Sequence, residues 1–241
     1  MKVIFYRFIF LSLFCGLCLA LLLSCAAQIE GSVDADGSAA MSVSVSLEPR
    51  MTSLIRSFAA AGGQAGGQNV IDAPSISQSM SNAPGISGVS LRNTSPSALE
   101  GSVRISNINS FLSAGDSAGF ISFQQGRAGG NCVINITSSN GPAILAKLSP
   151  EISDYLSALM APLATGEEMT KAEYLALVTS VYSRGVSDEI AGSRIRASIG
   201  FPGQITAVRG GTFSGRRANF DIPLLDLLVL ETPLSYEVRW N

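Results

Sequence analysis

The sequence contains no histidine, only three lysines and a single tryptophan among its 241 residues. Without imidazole, the chain cannot form a Ser-His-Asp triad, a Cys-His dyad, an HExxH zinc site or a histidine pH switch. Charged residues make up 14% and the formal net charge is −2, which argues against the basic face that nucleic-acid-binding domains usually carry. The apolar content of 46% excludes a wholly disordered chain, and the length fits one domain or two small ones.

Residues 1–24 have the pattern of a secretory signal peptide. A short basic region with Lys2 and Arg7 is followed by an almost unbroken apolar run over residues 9–23. The run ends in Leu22, Leu23 and Ser24, and the next residue is Cys25. A branched apolar residue, a small residue and then cysteine resemble the lipobox of bacterial lipoproteins. That resemblance implies that the Cys25 thiol carries a diacylglyceryl group and that the chain is cut just before it.

This pattern predicts a protein exported from the cytoplasm and anchored to a membrane of the cell envelope through Cys25. Two alternatives stay open: the apolar run remains as an uncleaved anchor, although it is short for a span, or an ordinary signal peptidase cuts after Ala27. Loss of residues 1–24 removes two positive charges and two of the four cysteines, so the formal charge becomes −4. With Cys25 acylated, Cys132 is the remaining thiol, and we expect it to be a buried core residue within a strand.

The N-terminal part of the mature chain predicts a hairpin followed by a helix. Two strand-like stretches, 29–33 and 41–47, flank a turn of the type that aspartate and glycine favour. One apolar stripe then predicts a helix over residues 50–61. We therefore divide the chain into a signal peptide, this N-terminal segment (25–61), a Gly/Ser/Asn-rich connection (62–84) and the remainder of the domain (85–241).

Residues 85–241 alternate between strand and helix patterns. Strands are predicted at 88–92, 99–107, 118–124, 132–137, 194–201, 205–209, 212–222 and 234–240. Helices are predicted over 149–163 and 171–184, the second opened by a capping box at Thr170 and Glu173. A short helical turn is expected at 187–191, and 222–230 is expected to be an apolar connector. Together these patterns predict an α+β fold, a mainly antiparallel sheet with helices packed on one face.

The layout at the two ends of the mature chain resembles the bacterial lipoproteins with an LppM-type domain. The resemblance rests on the lipobox, the hairpin sequence of residues 30–38 running into an alternating strand, the helix after it, and the terminal strand of residues 233–240. Members of that family often carry a transmembrane helix after the domain, which is not seen before Asn241 in this sequence. The resemblance implies an α+β domain on an envelope lipoprotein, with no established catalytic residues to transfer.

Few acidic residues have the arrangement that catalysis or metal binding requires. The pairs Glu167-Glu168 and Asp188-Glu189 lie at predicted helix starts, where carboxylates complement the helix dipole. Residues 34–37 are similar to the start of a calcium loop, but Val45 stands where the loop needs glutamate, so a turn is the better interpretation. We predict no catalytic residues, no metal and no cofactor.

Arginines are concentrated towards the C-terminus. If the C-terminal strands are neighbours, several guanidinium groups share a face that could meet anionic headgroups or an acidic partner. The residues concerned are Arg194, Arg196, Arg209, Arg216 and Arg217. A solvated sheet face is the alternative interpretation.

The preferred hypothesis is a non-enzymatic, membrane-anchored envelope lipoprotein that binds a protein or lipid partner. A second hypothesis is a carrier of a hydrophobic small molecule between the sheet and its helices. A third is an envelope hydrolase that works without histidine, with converging carboxylates or a serine-lysine pair. Lys147 and Lys171 are the only lysines available for such a pair after the signal peptide. The sequence does not indicate the oligomeric state.

Overall fold

The structure, a computed structural model, describes residues 26–61, 69–82, 84–113, 120–141 and 155–241. The strands are β1 (Ala26–Val33), β2 (Ala39–Ser46), β3 (Ile86–Ser95), β4 (Ala98–Ile105), β5 (Ile121–Gly126), β6 (Gly129–Ile136), β7 (Arg194–Gly200), β8 (Ile205–Arg209), β9 (Thr212–Ser214), β10 (Arg217–Pro223) and β11 (Leu234–Trp240). The helices are α1 (Pro49–Ala61), α2 (Ala73–Ser81), α3 (Ile108–Ser113), α4 (Pro162–Thr165), α5 (Lys171–Val181), α6 (Arg184–Gly192) and α7 (Leu224–Val229).

The strands form two sheets. The first has seven strands in the order β3-β4-β2-β1-β7-β10-β9, and the second has four in the order β5-β6-β11-β8. Neighbouring strands run antiparallel throughout, except that β1 and β7 at the centre of the first sheet are parallel. The fold is therefore α+β with mainly antiparallel sheets, which confirms the predicted fold class.

The first sheet has one apolar face and one polar face. Alternation along β2 buries Val43 and Val45 on one side and exposes Ser42, Ser44 and Ser46 on the other. The apolar side, here called the inner face, shares one hydrophobic core with the helices. Helix residues in that core include Met51, Ile55, Val186, Ile190, Leu224 and Leu228. The helices therefore pack on one face, as predicted, and the opposite side, here called the open face, is polar.

Aromatic contacts join the second sheet to the rest of the core. The Trp240 ring lies 5.7 Å from the ring of Phe123 and 4.8 Å from that of Phe201, measured between centroids. Phe220 of the first sheet meets Tyr236 of the second edge to face, with centroids 5.6 Å apart. The C-terminal strand β11 is paired with β6 and β8 on its two sides, and its aromatic side chains pack against the rest of the core.

The predicted helix over 149–163 is wrong at its C-terminal end. Residues 155–158 are helical, but Met160 has φ 52° and the chain starts a new turn, α4, at Pro162. Proline cannot continue a helix, and the residue before it, Ala161, is pushed into an extended conformation. The start of the predicted helix lies outside the described residues.

Two other predicted boundaries differ from the structure. The helix predicted over 171–184 ends at Val181, because Ser183 is extended and caps a separate helix, α6, through the Val186 N–H. The helical turn predicted at 187–191 is part of α6. The apolar connector predicted over 222–230 contains a helix, α7, which a continuous apolar run without periodicity does not reveal.

Candidate functional site

The predicted lipid-attachment residue lies directly before the described chain. Leu22, Leu23, Ser24 and Cys25 fall outside the described residues, and β1 begins at Ala26, the next position. This strand is the central one of the first sheet, with β2 on one side and β7 on the other. A lipid on Cys25 would therefore join the domain without any linker between the anchor and the sheet.

Three of the five predicted arginines lie on the open face of the first sheet. Arg194 and Arg196 are two positions apart on β7, so their side chains are on the same side. Cross-strand pairing places Asp221 of β10 opposite Arg196 and Arg217 of β10 opposite Gly200, on that same side. The three arginines thus follow the β7–β10 pair from one end to the other.

Carboxylates compensate part of this positive charge. Arg194 forms an ion pair with Asp221, with an N–O distance of 3.6 Å. Glu30 of β1 pairs with Ser198 of β7, which lies between Arg196 and the last residue of that strand. Arg196 itself makes no ion pair within the described part of the chain. Three arginines and two carboxylates share this strip, so we expect it to keep a small excess of positive charge, which weak exposed ion pairs do not neutralise.

The other two predicted arginines lie elsewhere. Arg209 is on β8 in the second sheet, where its guanidinium is 4.0 Å from the Glu237 carboxylate. Arg216 is in the turn between β9 and β10, and its Nε donates to the Phe201 carbonyl at 3.1 Å. It precedes Arg217, and consecutive residues of an extended chain point in opposite directions. The structure therefore divides the five arginines among three locations.

A groove of about 430 Å³ crosses the open face above β1 to β4, and sequence reasoning did not identify it. Its lining includes Ser42, Ser44, Ser90, Ser102, Gln28, Glu30, Arg92 and Glu100. The partner strands that complete the groove around the serines of β2 follow only from the register. The groove is polar and lies opposite the helices, whereas the carrier hypothesis places its ligand on the helix side, where the described residues form the apolar core.

The Asp188-Glu189 pair has structural contacts. The Glu189 carboxylate accepts hydrogen bonds from the backbone N–H groups of Arg50 and Met51, at 3.2 and 2.9 Å. Those groups open α1 and have no partner inside the helix, so Glu189 acts as an external cap. Asp188 lies 3.9 Å from the arginine one turn earlier on α6. These contacts of Asp188 and Glu189 are typical of carboxylates that stabilise helices.

The second acid pair and the described lysine are not brought together as a catalytic group. Glu167 and Glu168 are exposed in the segment between α4 and α5. The Lys171 Nζ donates to Asp226 Oδ1 at 3.0 Å, and this hydrogen bond raises the pKa of the lysine. A catalytic lysine base requires a lowered pKa, so the contact opposes that role. Lys147 lies outside the described residues.

The acidic hairpin turn is closed by its own serine. Ser38 donates to Asp36 Oδ1 through its backbone N–H at 2.9 Å and its hydroxyl at 2.7 Å, which lowers the pKa of Asp36. In the described ranges, no three acidic or cysteine side chains are grouped closely enough to hold a metal ion. Cys132 is a free, half-buried thiol that packs against the core from β6, and burial raises its pKa to about 11.

Comparisons with known proteins give one weak structural likeness. No family model matches this chain, and no curated protein matches its sequence. The structure is similar to the NMR structure of the folded domain of LppM from Mycobacterium tuberculosis, with a TM-score of 0.40 and 8% sequence identity. The match covers 90% of this chain and 88% of the LppM chain. At these values the likeness carries no conclusion about ligand or activity. None of the helices in the described ranges is long and apolar enough to cross a membrane.

Proposed function

We propose that this chain is an exported envelope lipoprotein, held at a membrane through an acylated Cys25, whose domain binds a partner and does not catalyse a reaction. The observation that carries the proposal is the basic, apolar and then Leu22-Leu23-Ser24-Cys25 sequence, followed at once by the first strand of a folded domain. The absence of histidine and the structural contacts of Glu189 and Lys171 support the non-enzymatic part.

The position of β1 determines where a lipid on Cys25 would hold the domain. Because β1 is the central strand, a lipid at Cys25 would hold the first sheet by its middle and not by a loose terminus. A single acyl chain binds a membrane only marginally, whereas the several chains of a lipoprotein give durable attachment. The domain would then stand at a fixed distance from the bilayer, with its surfaces available to a protein or lipid partner.

The anchor is tested by replacing Cys25 with serine in the full chain. We expect the wild type to incorporate a labelled fatty acid and to partition into the detergent phase, and Cys25→Ser to lose the label. Cys18→Ser and Cys132→Ser are the matched controls, because each removes one thiol and leaves the predicted attachment site intact. Undiminished labelling of Cys25→Ser, or an equal loss in either control, contradicts the proposal.

A further inference from the structure

The segment from Arg209 to Arg217, here called the arginine ribbon, is exposed at every residue. It comprises the end of β8, all of β9 and the start of β10. Besides three arginines it carries Phe213, whose side chain is 46% exposed. In the described ranges, the other exposed large apolar residue is Val181. Phe213 pairs with Ala218 on the inner side of the β9–β10 pair, whereas Arg217 lies on the open side, so exposed side chains occupy both sides of this edge of the first sheet.

Glu237 compensates Arg209 of the arginine ribbon, at an N–O distance of 4.0 Å, and leaves the charges of Arg216 and Arg217. From Arg194 to Phe220 the sequence holds five arginines and no aspartate or glutamate, although the whole chain is negative. Arg216 donates to the Phe201 carbonyl, and the Arg217 Nη1 donates to the carbonyl and hydroxyl of Ser198 at 3.1 and 3.2 Å. These neutral acceptors orient both guanidinium groups without cancelling their charge. Within the described residues, neither forms an ion pair.

Two glycines fix the shape of the arginine ribbon. Gly210 has φ +75° and Gly215 has φ +59°, a left-handed conformation that other residues adopt only with strain. They make the bends on either side of β9, and β9 pairs with the start of β10. The arginine ribbon is thus an exposed edge of the first sheet with a bend at each end of β9.

We propose that the arginine ribbon binds the surface of an anionic lipid bilayer. Guanidinium groups attract anionic headgroups, at about 1 kcal/mol for each arginine near the surface, and an exposed phenylalanine ring can be buried at the boundary between headgroups and acyl chains. A deformable headgroup layer can surround an exposed edge whose charged side chains point to both sides of the sheet, as those of Arg216 and Arg217 do. Many anchored copies would add their weak contacts by avidity.

Strand register places the arginine ribbon away from the proposed lipid, and this step rests on the proposed function. Arg217 pairs with Gly200, and Gly200 pairs with Ser32 of β1, six residues beyond Ala26. That separation is about 20 Å along the sheet at roughly 3.3 Å per residue. With no linker after Cys25, a first sheet whose strands stand upright on the anchoring bilayer holds the arginine ribbon away from that bilayer and towards an opposing one, and in that orientation the protein bridges two membranes.

The test uses the purified mature protein inserted into neutral phosphatidylcholine vesicles. These vesicles are mixed with fluorescent vesicles that contain phosphatidylglycerol, and capture is measured by co-flotation. We expect capture that declines as salt is added, because salt screens exposed charges. Arg216→Ser/Arg217→Ser should weaken capture about 30-fold, which is about 2 kcal/mol at 1 kcal/mol per arginine. Phe213→Ser should weaken it in a manner that salt changes little.

Matched controls remove the same chemistry elsewhere. Arg56→Ser/Arg127→Ser deletes two other exposed arginines, and Val181→Ser deletes the other exposed apolar side chain. Both should capture vesicles as the wild type does. Equal loss in the controls, no loss in Arg216→Ser/Arg217→Ser, or capture of polyglutamate with no capture of anionic vesicles overturns the proposal. Binding confined to phosphatidylglycerol placed in the anchoring vesicle overturns the bridging geometry.

Failure of the lipid anchor gives a different result. If Cys25 carries no acyl group, the protein does not insert into the neutral vesicles and its mass lacks the lipid. The purified chain can still be mixed directly with anionic vesicles, and salt-sensitive binding that depends on Arg216 and Arg217 would support the arginine ribbon alone. Absence of that binding in protein whose acylation is verified by mass overturns the arginine ribbon and leaves the anchor intact.

Discussion

Trp240 occupies space that only a glycine on the neighbouring strand leaves open. A Cβ atom built on Gly130 would lie 2.2 Å from the indole ring, far inside a normal contact distance. The ring is held on its other sides by Phe123 and Phe201 and cannot move away without disturbing the core. The sequence contained no sign of this packing, because the tryptophan comes from the distant end of the chain.

Replacement of Gly130 by alanine is therefore expected to destabilise the fold by about 1–3 kcal/mol through overpacking. Urea denaturation measures the free energy of unfolding. The control is Gly88→Ala, because nothing lies within 4 Å of a Cβ atom at that position of β3. Alanine there should be neutral or slightly stabilising. If the two variants have the same stability, the close approach of Trp240 does not constrain residue 130.

Local signals in the sequence identified elements whose stabilising contacts are near in the chain. The β1–β2 hairpin, α1, the start of α5 and the final strand were predicted and are confirmed. The break at Met160 was missed because the apolar stripe continued past it, although Pro162 was a visible signal. The pairing of β1 with β7 was not predictable, because alternation assigns a face to a strand but not a neighbour.

The same limit applies to the candidate sites. Alternation within β7 placed Arg194 and Arg196 on one side, whereas the adjacency of Arg216 and Arg217 was a signal against a single shared face that the prediction did not use. The register decides which face of β10 is continuous with the arginine-bearing face of β7. The groove above β1 to β4 depends on three strand pairings at once. Cys25 was identified because a processing signal is read from the linear sequence and needs no folded structure.

The capping box at the start of α5 can be tested by a single substitution. Thr170 Oγ1 accepts from the Glu173 N–H, and the Glu173 carboxylate accepts from the Thr170 N–H at 2.9 Å. We expect Thr170→Ala to lower the free energy of unfolding by about 1 kcal/mol, since an unpaired N–H group is left at the helix start. Thr179→Ala, at an exposed position in the last turn of the same helix, should be neutral or stabilising. Equal effects of the two substitutions on urea denaturation would show that the box does not stabilise α5.

The whole molecule lacks the group that usually titrates near neutral pH and has several groups that resist ionisation at alkaline pH. With no histidine, no imidazole changes charge between about pH 5 and pH 8. Burial raises the pKa of Cys132 from 9.0 to about 11 and also raises the pKa values of Tyr174, Tyr182 and Tyr236. The unfolded chain therefore loses its protons first as the pH rises, and ionisation favours unfolding.

Stability should consequently fall between about pH 9 and pH 11, beginning with the thiol. The Cys132→Ala variant should show a smaller decline than the wild type just above pH 9, before the tyrosines ionise in the unfolded chain. Urea denaturation at neutral pH and at successive alkaline values measures the difference. Identical pH profiles for Cys132→Ala and the wild type would show that the thiol is not buried as described.

The parallel pairing of β1 with β7 imposes an order of assembly. During synthesis β1 and β2 emerge first and can close as a hairpin, whereas β7 follows only after most of the chain has been made. Contacts so distant in sequence form slowly, because a long loop must close before they contribute. Until then, one edge of β1 presents unpaired backbone groups that can pair with another chain. The central strand of the finished sheet is thus the aggregation-prone edge of the nascent one.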